Sequence, residues 1–507
     1  MKHVDTKVIK ETLQLASDIV TPTMGPKGRL AVISDEFSRP YLTDDGVTVA
    51  KELLNLDDPF KKMVAISACE AANNTEKSAF DGTTLTVLLL NEFYKAGLKL
   101  IESGLHPQTA ADRIKEEIDI ALKELEKQRI KVTPENSEKL IRDVSYITTK
   151  IPEIGELVYQ AYTKAGDAMN VVIEHDRQIP TSVVEHVDGM IVNSGYFSPE
   201  LAKLAGEDEI WKRDNAKVFL LSEGILTVNG LRGLFGSIPD KKTPLVFVFD
   251  RNYNPEMLKG LIENLSANKF DFMFMFINDS RPDEIFLDIA AKTGGKIQSA
   301  TYNTTDYLYE YAGTADHIEI EIDKSTIIAN GNPDEVKARL NSYKKELKKN
   351  EFTTGYVRAD VLNRRMANLG AGVTKIKIAA QSVTEYRTIR FKLDDAIGAV
   401  RCALKDGVLL GGGKALASIQ SGVAIKDALV APIKTILANA GYEYKPNETT
   451  RAGHGIDART GLDVDLYESG IIDSYTSIET AVKNAESIAC SYLRAYILIN
   501  MNVKEGN

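Results

Sequence analysis

The loops best suited to ligand binding lie near the two ends of this chain. They occur before about residue 84 and after about residue 394, among segments whose apolar residues recur at helical spacing. The middle of the chain carries none, and its apolar segments follow strand patterns separated by helical ones. The simplest fold with this distribution is one helical domain built from both chain ends, with the middle inserted into it.

The inserted middle predicts a sheet covered by helices. Its three apolar strand candidates, 218–221, 245–249 and 272–277, are separated by helical segments, so we expect a largely parallel sheet. Changes of pattern near residue 131, where helical signals thin out, and near residue 187 indicate an insertion with two tiers. Helices at about 228–235 and 257–265 carry apolar stripes. These stripes either pack on the sheet or partly face solvent and bind non-native chains.

Composition narrows the class of protein. At 507 residues the chain exceeds a single hydrophobic core, so roughly two to four domains are expected. The net charge of −10 argues against general nucleic-acid binding, because phosphate contacts need clustered cations. Three scattered cysteines without CxxC spacing indicate a reduced, cytoplasmic protein. No apolar run approaches the roughly 18 residues that a membrane span needs, and no histidine has metal-ligand spacing.

The most informative loop is Asp81-Gly82-Thr83-Thr84, between two predicted helices. A helix start offers backbone N–H groups without intrahelical partners, and the macrodipole adds partial positive charge there. Gly82 lets a ligand approach the backbone, and two hydroxyls follow it. Phosphate bound at this end would leave Asp81 to hold the accompanying divalent cation. Taken alone, however, four residues favour the simpler interpretation that Asp81 is an ordinary N-cap.

Three further loops carry glycines or carboxylates. Residues 21–29 contain two prolines and two glycines, so they break the preceding helix and allow a close approach to the backbone. Residues 43–47 contain adjacent carboxylates and, taken alone, are typical of a solvated hairpin turn. The glycine run 411–413 precedes Lys414, but the segment departs from the GxxxxGK[ST] P-loop at Val408 and Ala415, so it implies no Walker-type site.

Six segments resemble motifs of the group I chaperonins, the GroEL family, over nearly the full chain. Their order and intervals match those of the family, which favours nucleotide binding over a simple N-cap at Asp81. The matches are Thr23-Met24-Gly25-Pro26-Lys27-Gly28-Arg29 with TLGPKGR, Thr43-Asp44-Asp45-Gly46-Val47 with TKDGV, Asp81-Gly82-Thr83-Thr84 with GDGTTT, Leu393-Asp394-Asp395-Ala396 with VEDA, Gly411-Gly412-Gly413 with AGGG, and Gly470-Ile471-Ile472-Asp473 with GILD.

The resemblance implies a multidomain fold of α+β and α/β character, similar to GroEL. A mostly helical equatorial ATP-binding domain would comprise residues 1–128 and 406–507. A small intermediate hinge domain would comprise residues 129–187 and 374–405. An apical α/β domain, residues 188–373, would bind substrates.

The resemblance also implies the residues of an ATPase site. Asp81 would be the Mg²⁺ ligand, and Asp395 would orient the attacking water, assisted by Asp45. The implied nucleotide-binding residues are Thr23, Met24, Gly25, Pro26, Asp81, Gly82, Thr83, Thr84, Gly412 and Asp473. The implied apolar substrate-binding residues are Tyr196, Phe235, Met257, Leu261 and Ile262.

A function and a set of partners follow from the same resemblance. It implies an ATP-dependent chaperonin, an ATP hydrolase, that binds non-native polypeptides on apolar apical surfaces and assists their folding in a ring cavity. Hydrolysis would be gated by domain movement. ATP and Mg²⁺ are the implied cofactors, with K⁺ bound if the backbone carbonyl of Asp44 is used. The implied partners are six further copies in a seven-membered homo-oligomeric ring and, in members that use one, a co-chaperonin lid. Neither nucleic acid nor membrane is expected as a partner, and the expected location is cytoplasmic.

The chain also departs from the family pattern. Phe80 replaces the glycine before Asp81, Asp44 replaces a lysine, and Leu85 replaces the third threonine. These changes mark a divergent member, such as a virus-encoded one. They motivate the alternative of a chaperonin-like assembly or scaffold protein with weak or lost ATPase activity. The retained aspartates of the site weigh against that alternative.

Overall fold

A computed structural model of the chain describes most of its residues. The described ranges are 2–4, 7–33, 41–43, 46–165, 171–175, 179–187, 189–196, 198–206, 209–222, 238–250, 255–279, 281–299, 309–350, 361–362, 365–366, 368–370, 372–420, 422–445 and 451–500. None of the helices in these ranges combines the length and the apolar character needed to cross a bilayer.

Helices and strands occupy most of the described residues. The helices are α1 (Lys7–Val20), α2 (Gly46–Lys51), α3 (Pro59–Ala79), α4 (Thr83–Glu102), α5 (Pro107–Lys127), α6 (Ser137–Thr149), α7 (Pro152–Ala165), α8 (Pro199–Ala205), α9 (Pro255–Ala267), α10 (Pro282–Thr293), α11 (Pro333–Asn350), α12 (Val383–Asp406), α13 (Lys414–Ala417), α14 (Lys426–Asn439) and α15 (Tyr475–Arg494). The strands are β1 (Lys2–Val4), β2 (Ala31–Ile33), β3 (Tyr41–Thr43), β4 (Val171–His175), β5 (Val183–Val187), β6 (Gly189–Val192), β7 (Trp211–Ser222), β8 (Leu245–Phe249), β9 (Phe272–Phe276), β10 (Ile297–Ser299), β11 (Gly313–Ile320), β12 (Ser325–Ile328), β13 (Val373–Ile378), β14 (Val408–Leu410), β15 (His454–Ile456), β16 (Asp463–Asp465), β17 (Ile472–Ser474) and β18 (Leu498–Asn500).

The chain divides into two compact units. Residues 1–159 and 383–507 form unit 1, so the two chain ends fold together. Residues 160–382 form unit 2. The boundaries of the three domains implied by the resemblance fall inside these units, and they stay a prediction.

Unit 1 is organised around α4. The apolar residues of α4 are buried on every side, among them Leu85, Leu89 and Phe93, as its all-round apolar sequence predicts. Helices α1, α3, α5, α14 and α15 all pack against it. The start of α4 is therefore held by several neighbours, which fixes the loop that precedes it.

Two helices lie where the sequence predicts that helical signals thin out. That prediction is wrong for α6 and α7, which together span most of residues 137–165. In α6 the buried residues Leu140, Ile141 and Val144 recur at helical spacing, so a short amphipathic pattern is present. Pro152 begins α7 at the first helical position, where its missing N–H would have no intrahelical partner.

Unit 2 contains a seven-stranded sheet of mixed type. The strand order is β6-β12-β11-β7-β8-β9, with β10 also paired to β7. Strands β7, β8, β9 and β10 pair in parallel, whereas β11 is antiparallel to β7 and β12, and β12 to β6. The prediction of a largely parallel sheet is therefore wrong for half of the pairings. The connection between β11 and β12 is too short for a parallel crossover, so these strands form a hairpin.

The parallel strands form the core of unit 2. Every residue of β8 and β9 is buried, which is typical of strands covered on both faces. The rings of Phe247 and Phe249 each lie 5.6 Å from that of Phe274, centroid to centroid. Unit 2 also contains a three-stranded sheet of order β4-β13-β5.

A buried ion-pair network ties α11 to α10. Asp288 and Tyr343 are both buried, and the Tyr343 hydroxyl donates to Asp288 Oδ1 at 2.7 Å. Arg339 Nε donates to the same oxygen at 3.0 Å. Burial raises the pKa of Asp288, and the contacts with Tyr343 and Arg339 oppose that rise. The network therefore depends on the carboxylate as its shared acceptor.

We expect Asp288→Ala to lower the free energy of unfolding by about 3 kcal/mol, because the Arg339 charge and the Tyr343 hydroxyl lose their acceptor. Denaturant titration measures this change. Asp283→Ala is the matched control, since Asp283 is an exposed aspartate in the first turn of the same helix. Its loss should stay below about 1 kcal/mol. Equal losses in the two variants would contradict the assignment.

Glu319 is held in its charged form within a buried cluster. Its side chain is 3% exposed, with Lys212 Nζ at 3.1 Å and His317 Nε2 at 3.3 Å from its Oε1. His317 Nδ1 lies 2.6 Å from Asp214 Oδ1. Burial alone would raise the pKa of Glu319, but His317 and Lys212 outweigh burial and hold that pKa at about 2. The two carboxylates likewise outweigh burial at His317 and raise its pKa.

The stabilisation from Glu319 therefore depends on pH. A lowered pKa in the folded state stabilises the fold above the ordinary value of 4.5, and this stabilisation is lost as the pH falls towards 2. We expect Glu319→Gln to lower the free energy of unfolding by on the order of 3 kcal/mol at neutral pH. The difference from wild type should shrink as the pH falls from 4.5 to about 2. Chemical unfolding at several pH values measures it, and a difference that does not change with pH would refute this account of Glu319.

Candidate nucleotide-binding site

Asp81 lies in the turn between α3 and α4. Phe80 ends α3 in the left-handed conformation, with φ 59°, and its N–H donates to Glu76 O at 2.9 Å. Gly82, with φ 90°, is the N-cap of α4, and no side-chain hydrogen bond caps this helix. Asp81 Oδ1 instead accepts from the N–H of Gly82 at 2.7 Å. The interpretation of Asp81 as an ordinary N-cap is therefore wrong, and the first N–H groups of α4 are left without a side-chain acceptor among the described residues.

The first turns of two other helices meet the start of α4. A β-carbon at Gly46 would lie 2.9 Å from Thr83 Oγ1 and would overlap Thr84 Oγ1. A β-carbon at Gly82 would lie 3.2 Å from the carbonyl oxygen of Ser477, near the start of α15. Both approaches are tight enough to favour glycine, so the first residue of α2 and the first turn of α15 lie against the start of α4 and the turn before it.

Asp473 and the glycine run 411–413 come from one two-stranded sheet. Strands β14 and β17 are antiparallel, with Leu409 opposite Asp473. The N–H of Gly411 donates to Ile471 O at 2.9 Å, so the glycine run continues alongside β17. Gly412 has φ 64°, a conformation that glycine adopts without strain. Two motifs from different parts of the C-terminal segment are thus brought side by side.

The carboxylates of Asp81 and Asp473 share one electrostatic environment. Burial, and then the negative charge of Asp81, raise the pKa of Asp473 to about 7. Burial also raises the pKa of Asp81, against the hydrogen bond from Gly82 and the positive charge of Lys150. Two neighbouring carboxyls with raised pKa values are an environment that a divalent cation would neutralise.

The donor set fits a complex of Mg²⁺ with a nucleotide. Mg²⁺ in such sites takes one or two carboxylates and completes its coordination with waters and substrate phosphates. Asp81 supplies a carboxylate, and Asp473 lies within its electrostatic reach. The start of α4 offers N–H groups without a side-chain cap, together with the hydroxyls of Thr83 and Thr84, and this combination suits phosphate.

The first glycine-containing loop is held by α14. Thr23 is buried at the end of a 3-10 turn, Thr21–Thr23, that contacts both α4 and α14. Asn439 Nδ2, at the end of α14, donates to Met24 O at 3.0 Å. Gly25 has φ 86°, and a β-carbon there would lie 3.0 Å from a side chain of α14. The loop therefore begins at a turn that packs on α4, the helix that follows Asp81. It contains Thr23, Met24, Gly25 and Pro26.

Asp395 lies on α12, whose neighbouring residues contact the end of α3. Gly398 packs on Phe80, because a β-carbon at Gly398 would overlap the aromatic ring. Cys402 Sγ lies 3.8 Å from Ser78 O. Residues 395, 398 and 402 fall on one face of a helix. The face of α12 that carries Asp395 therefore runs along the last residues of α3.

The predicted substrate-binding residues of unit 2 differ in their exposure. Tyr196 is completely buried, and its hydroxyl donates to Glu209 O at 3.0 Å. Leu261 is buried in the same core, whereas Ile262 is half-buried. This burial favours packing on the sheet for the described part of the 257–265 stripe. Of the predicted residues whose side chains are described, Ile262 alone reaches the surface.

Some predicted residues fall outside the described part of the chain. They are Asp45 and Phe235, together with the side chain of Met257. Their proposed roles stay predictions.

Three contributors to the site were not predicted from the sequence. Lys150 ends α6 with φ 61°, and its charge acts on Asp81. Asn439 holds the first loop, and Gly398 accommodates the ring of Phe80. A glycine inside a helical pattern is a visible signal for close packing, whereas no local pattern distinguishes Lys150 or Asn439 from ordinary surface residues.

Comparisons with known proteins agree with this architecture. Residues 16–228 match the model of the TCP-1/cpn60 chaperonin family. The fold resembles that of the chaperonin gp146 from the bacteriophage EL 2 (Pseudomonas aeruginosa), solved in the presence of ATP-BeFx. For one crystal form the TM-score is 0.73 at 19% identity, over 99% of this chain and 100% of that one. For the other, the TM-score is 0.66 at 19% identity, over 98% of each chain.

The predicted multidomain chaperonin fold is confirmed by this similarity over nearly the full chain. The family match covers the Asp81 turn and Gly46, which lies against Thr83 and Thr84. Residues 16–228 are therefore similar in sequence to the TCP-1/cpn60 chaperonin family, and the whole chain shares the fold of a phage chaperonin.

Proposed function

We propose that this chain is a chaperonin that binds and hydrolyses ATP and uses the cycle to assist the folding of non-native polypeptides. The proposal rests on unit 1, where the Asp81 turn precedes α4, the charge of Asp81 acts on Asp473, and the glycine run 411–413 lies alongside the strand that carries Asp473. The phage EL chaperonin that resembles it in fold was solved in the presence of ATP-BeFx, which supports nucleotide binding by this chain.

The main support for hydrolysis, as distinct from nucleotide binding alone, is the contact between α12 and the end of α3. Gly398 packs on Phe80, and Asp395 lies one helical turn away on the same face, so we assign Asp395 to the side of α12 nearest the Asp81 turn. An aspartate carboxylate is ordinarily a weak base in water at neutral pH. We therefore assign Asp395 to orienting the attacking water rather than to removing its proton, with assistance from Asp45.

We assign the nucleotide contacts to the loops around the start of α4. Residues 23–26 and 82–84 would hold the phosphates, and Asp81 would hold Mg²⁺. Gly412 and Asp473 would flank the nucleoside. Bound Mg²⁺ supplies positive charge next to the phosphoryl oxygens where negative charge develops.

We further propose that the chain works as a homo-oligomeric ring of seven subunits in the cytoplasm. Non-native polypeptides would bind the apical region at Ile262, Phe235 and Met257, and a co-chaperonin lid would close the cavity. The three domain boundaries implied by the resemblance, and a K⁺ site at the carbonyl of Asp44, belong to the same proposal. Ring assembly would give released polypeptides an enclosed space in which to fold.

ATP hydrolysis separates this function from that of a chaperonin-like scaffold. The left-handed turn persists at Phe80 despite the loss of glycine, and Leu85 is buried in unit 1, so neither departure blocks the start of α4. We expect the purified full-length chain to hydrolyse ATP only with Mg²⁺ and to raise the refolding yield of a denatured client only with ATP. Binding of ATP without turnover would contradict the ATPase and favour the scaffold.

A further inference from the structure

We propose that Phe80 and Gly398 form a steric contact that positions Asp395 for ATP hydrolysis. This inference rests on the proposed ATPase and deepens it. Neither residue carries a group that takes part in the chemistry. Both are positioning residues, and their effect is exerted through the placement of α12.

Phe80 occupies a backbone conformation that an aromatic residue rarely adopts. Its φ of 59° brings the β-carbon of an L-residue close to the backbone, whereas glycine would adopt this conformation without strain. Among the non-glycine residues with a positive φ that the structure describes, Phe80 is the one aromatic residue. When a residue strains the backbone at a functional turn, a contact of its side chain elsewhere is expected to offset that strain.

Gly398 supplies that contact. It lies inside α12, a helix of 24 residues, where glycine is less favourable than alanine because its backbone is freer in the unfolded chain. A β-carbon at Gly398 would overlap the Cγ and Cδ atoms of the Phe80 ring. The ring therefore fills the space that a side chain at position 398 would need. Two locally unfavourable residues are complementary to each other.

The contact lies beside both carboxylates of the proposed reaction. Phe80 directly precedes Asp81, the proposed Mg²⁺ ligand. Gly398 follows Asp395 by three residues on the same helical face, which is about 4.5 Å along the helix axis. The thickness of the ring thus sets the spacing between the Asp395 segment of α12 and the Asp81 turn.

The C-terminal half of α12 is anchored separately. Thr476 Oγ1, in the first turn of α15, donates at 2.8 Å to Oδ2 of Asp406, the last residue of α12. Because that end of the helix is held, a change at the Phe80 ring would mainly shift the position of the segment that carries Asp395. The expected consequence is a change in the rate of hydrolysis with little change in nucleotide binding.

Gly398→Ala tests the proposal, because its methyl group would overlap the ring and push α12 away from the Asp81 turn. A displacement of about 1 Å can lower a rate about 100-fold. We expect kcat to fall roughly 10- to 100-fold, while KM and the affinity for ADP with Mg²⁺ change by less than about twofold. Adding Phe80→Gly to this variant removes the ring, and kcat should recover to within about threefold of wild type.

Two further variants complete the experiment. Gly260→Ala is the matched control, since Gly260 also lies in a helix but a β-carbon there would meet nothing within 4 Å. Its kcat should match wild type. Phe80→Gly alone places the residue that the left-handed backbone prefers, so it should fold well and yet lower kcat about tenfold. If Gly398→Ala does not fold, the kcat of Phe80→Gly alone tests the positioning role.

The outcomes separate the positioning role from its alternatives. An unchanged kcat in Gly398→Ala or in Phe80→Gly would overturn it, as would an equal loss in Gly398→Ala with and without Phe80. A contact that served stability alone would lower Tm without separating kcat from KM, so Tm is measured for each variant. A wild type without Mg²⁺-dependent turnover would overturn the ATPase itself, and the positioning role with it.

Discussion

Asp395→Ala is expected to bind ATP with nearly wild-type affinity while its turnover falls by about 100-fold or more. Asp395 is assigned to the attacking water, whereas the proposed nucleotide contacts come from other loops. Loss of its carboxylate should therefore leave binding intact and slow the chemical step. Equilibrium binding and single-turnover hydrolysis measure the two effects separately on the same protein.

Asp394→Ala is the matched control for this prediction. Asp394 is the adjacent residue, and about 100° of helix rotation turns it away from the face that carries Asp395. Its side chain is 55% exposed and lies 3.7 Å from Arg390 Nε. Turnover of this variant should stay within about twofold of wild type. Unchanged turnover in Asp395→Ala, or equal losses in both variants, would refute the role of Asp395.

Asp81→Asn is expected to weaken ATP binding in the presence of Mg²⁺ by roughly 100-fold. The variant keeps the shape of the side chain and its hydrogen bond from Gly82, but it removes the charge that Mg²⁺ needs. Isothermal titration with and without Mg²⁺ measures the change. Binding of ATP without Mg²⁺ should be unchanged or improved, because one negative charge near the phosphates is gone. Retention of the wild-type Mg²⁺ dependence would exclude Asp81 as the ligand.

The order of the loops allowed a candidate site to be proposed from the sequence. Residues such as Asp81 and Gly412 are conspicuous because glycines and carboxylates cluster where helices begin and end. The pairing of β14 with β17 brings the 411–413 and 470–473 motifs together, as expected if both belong to one site. The all-round apolar pattern of α4 likewise predicted its burial.

The structural features that could not be predicted from the sequence depend mainly on contacts between residues far apart in the chain. Taken alone, residues 81–84 favoured an N-cap at Asp81, which is excluded because Gly82 is the N-cap of α4 and the Asp81 side chain accepts from the N–H of Gly82. The antiparallel half of the sheet in unit 2 arises from strand pairing, which no local pattern specifies. Tyr196 matches an apolar substrate-binding position of the family, yet it fills the core of unit 2, where its hydroxyl donates to the backbone carbonyl of Glu209.

The central claim is that Asp81 and Asp395 act on one nucleotide from two segments of unit 1. A structure of the full chain determined with Mg²⁺, ADP and beryllium fluoride tests it most directly. We expect the metal to be bound to Asp81, and the carboxylate of Asp395 to lie within about 3 Å of the water in line with the fluoride group. A nucleotide bound elsewhere, or one bound here with the metal away from Asp81 and Asp395 out of reach of that water, would contradict the claim.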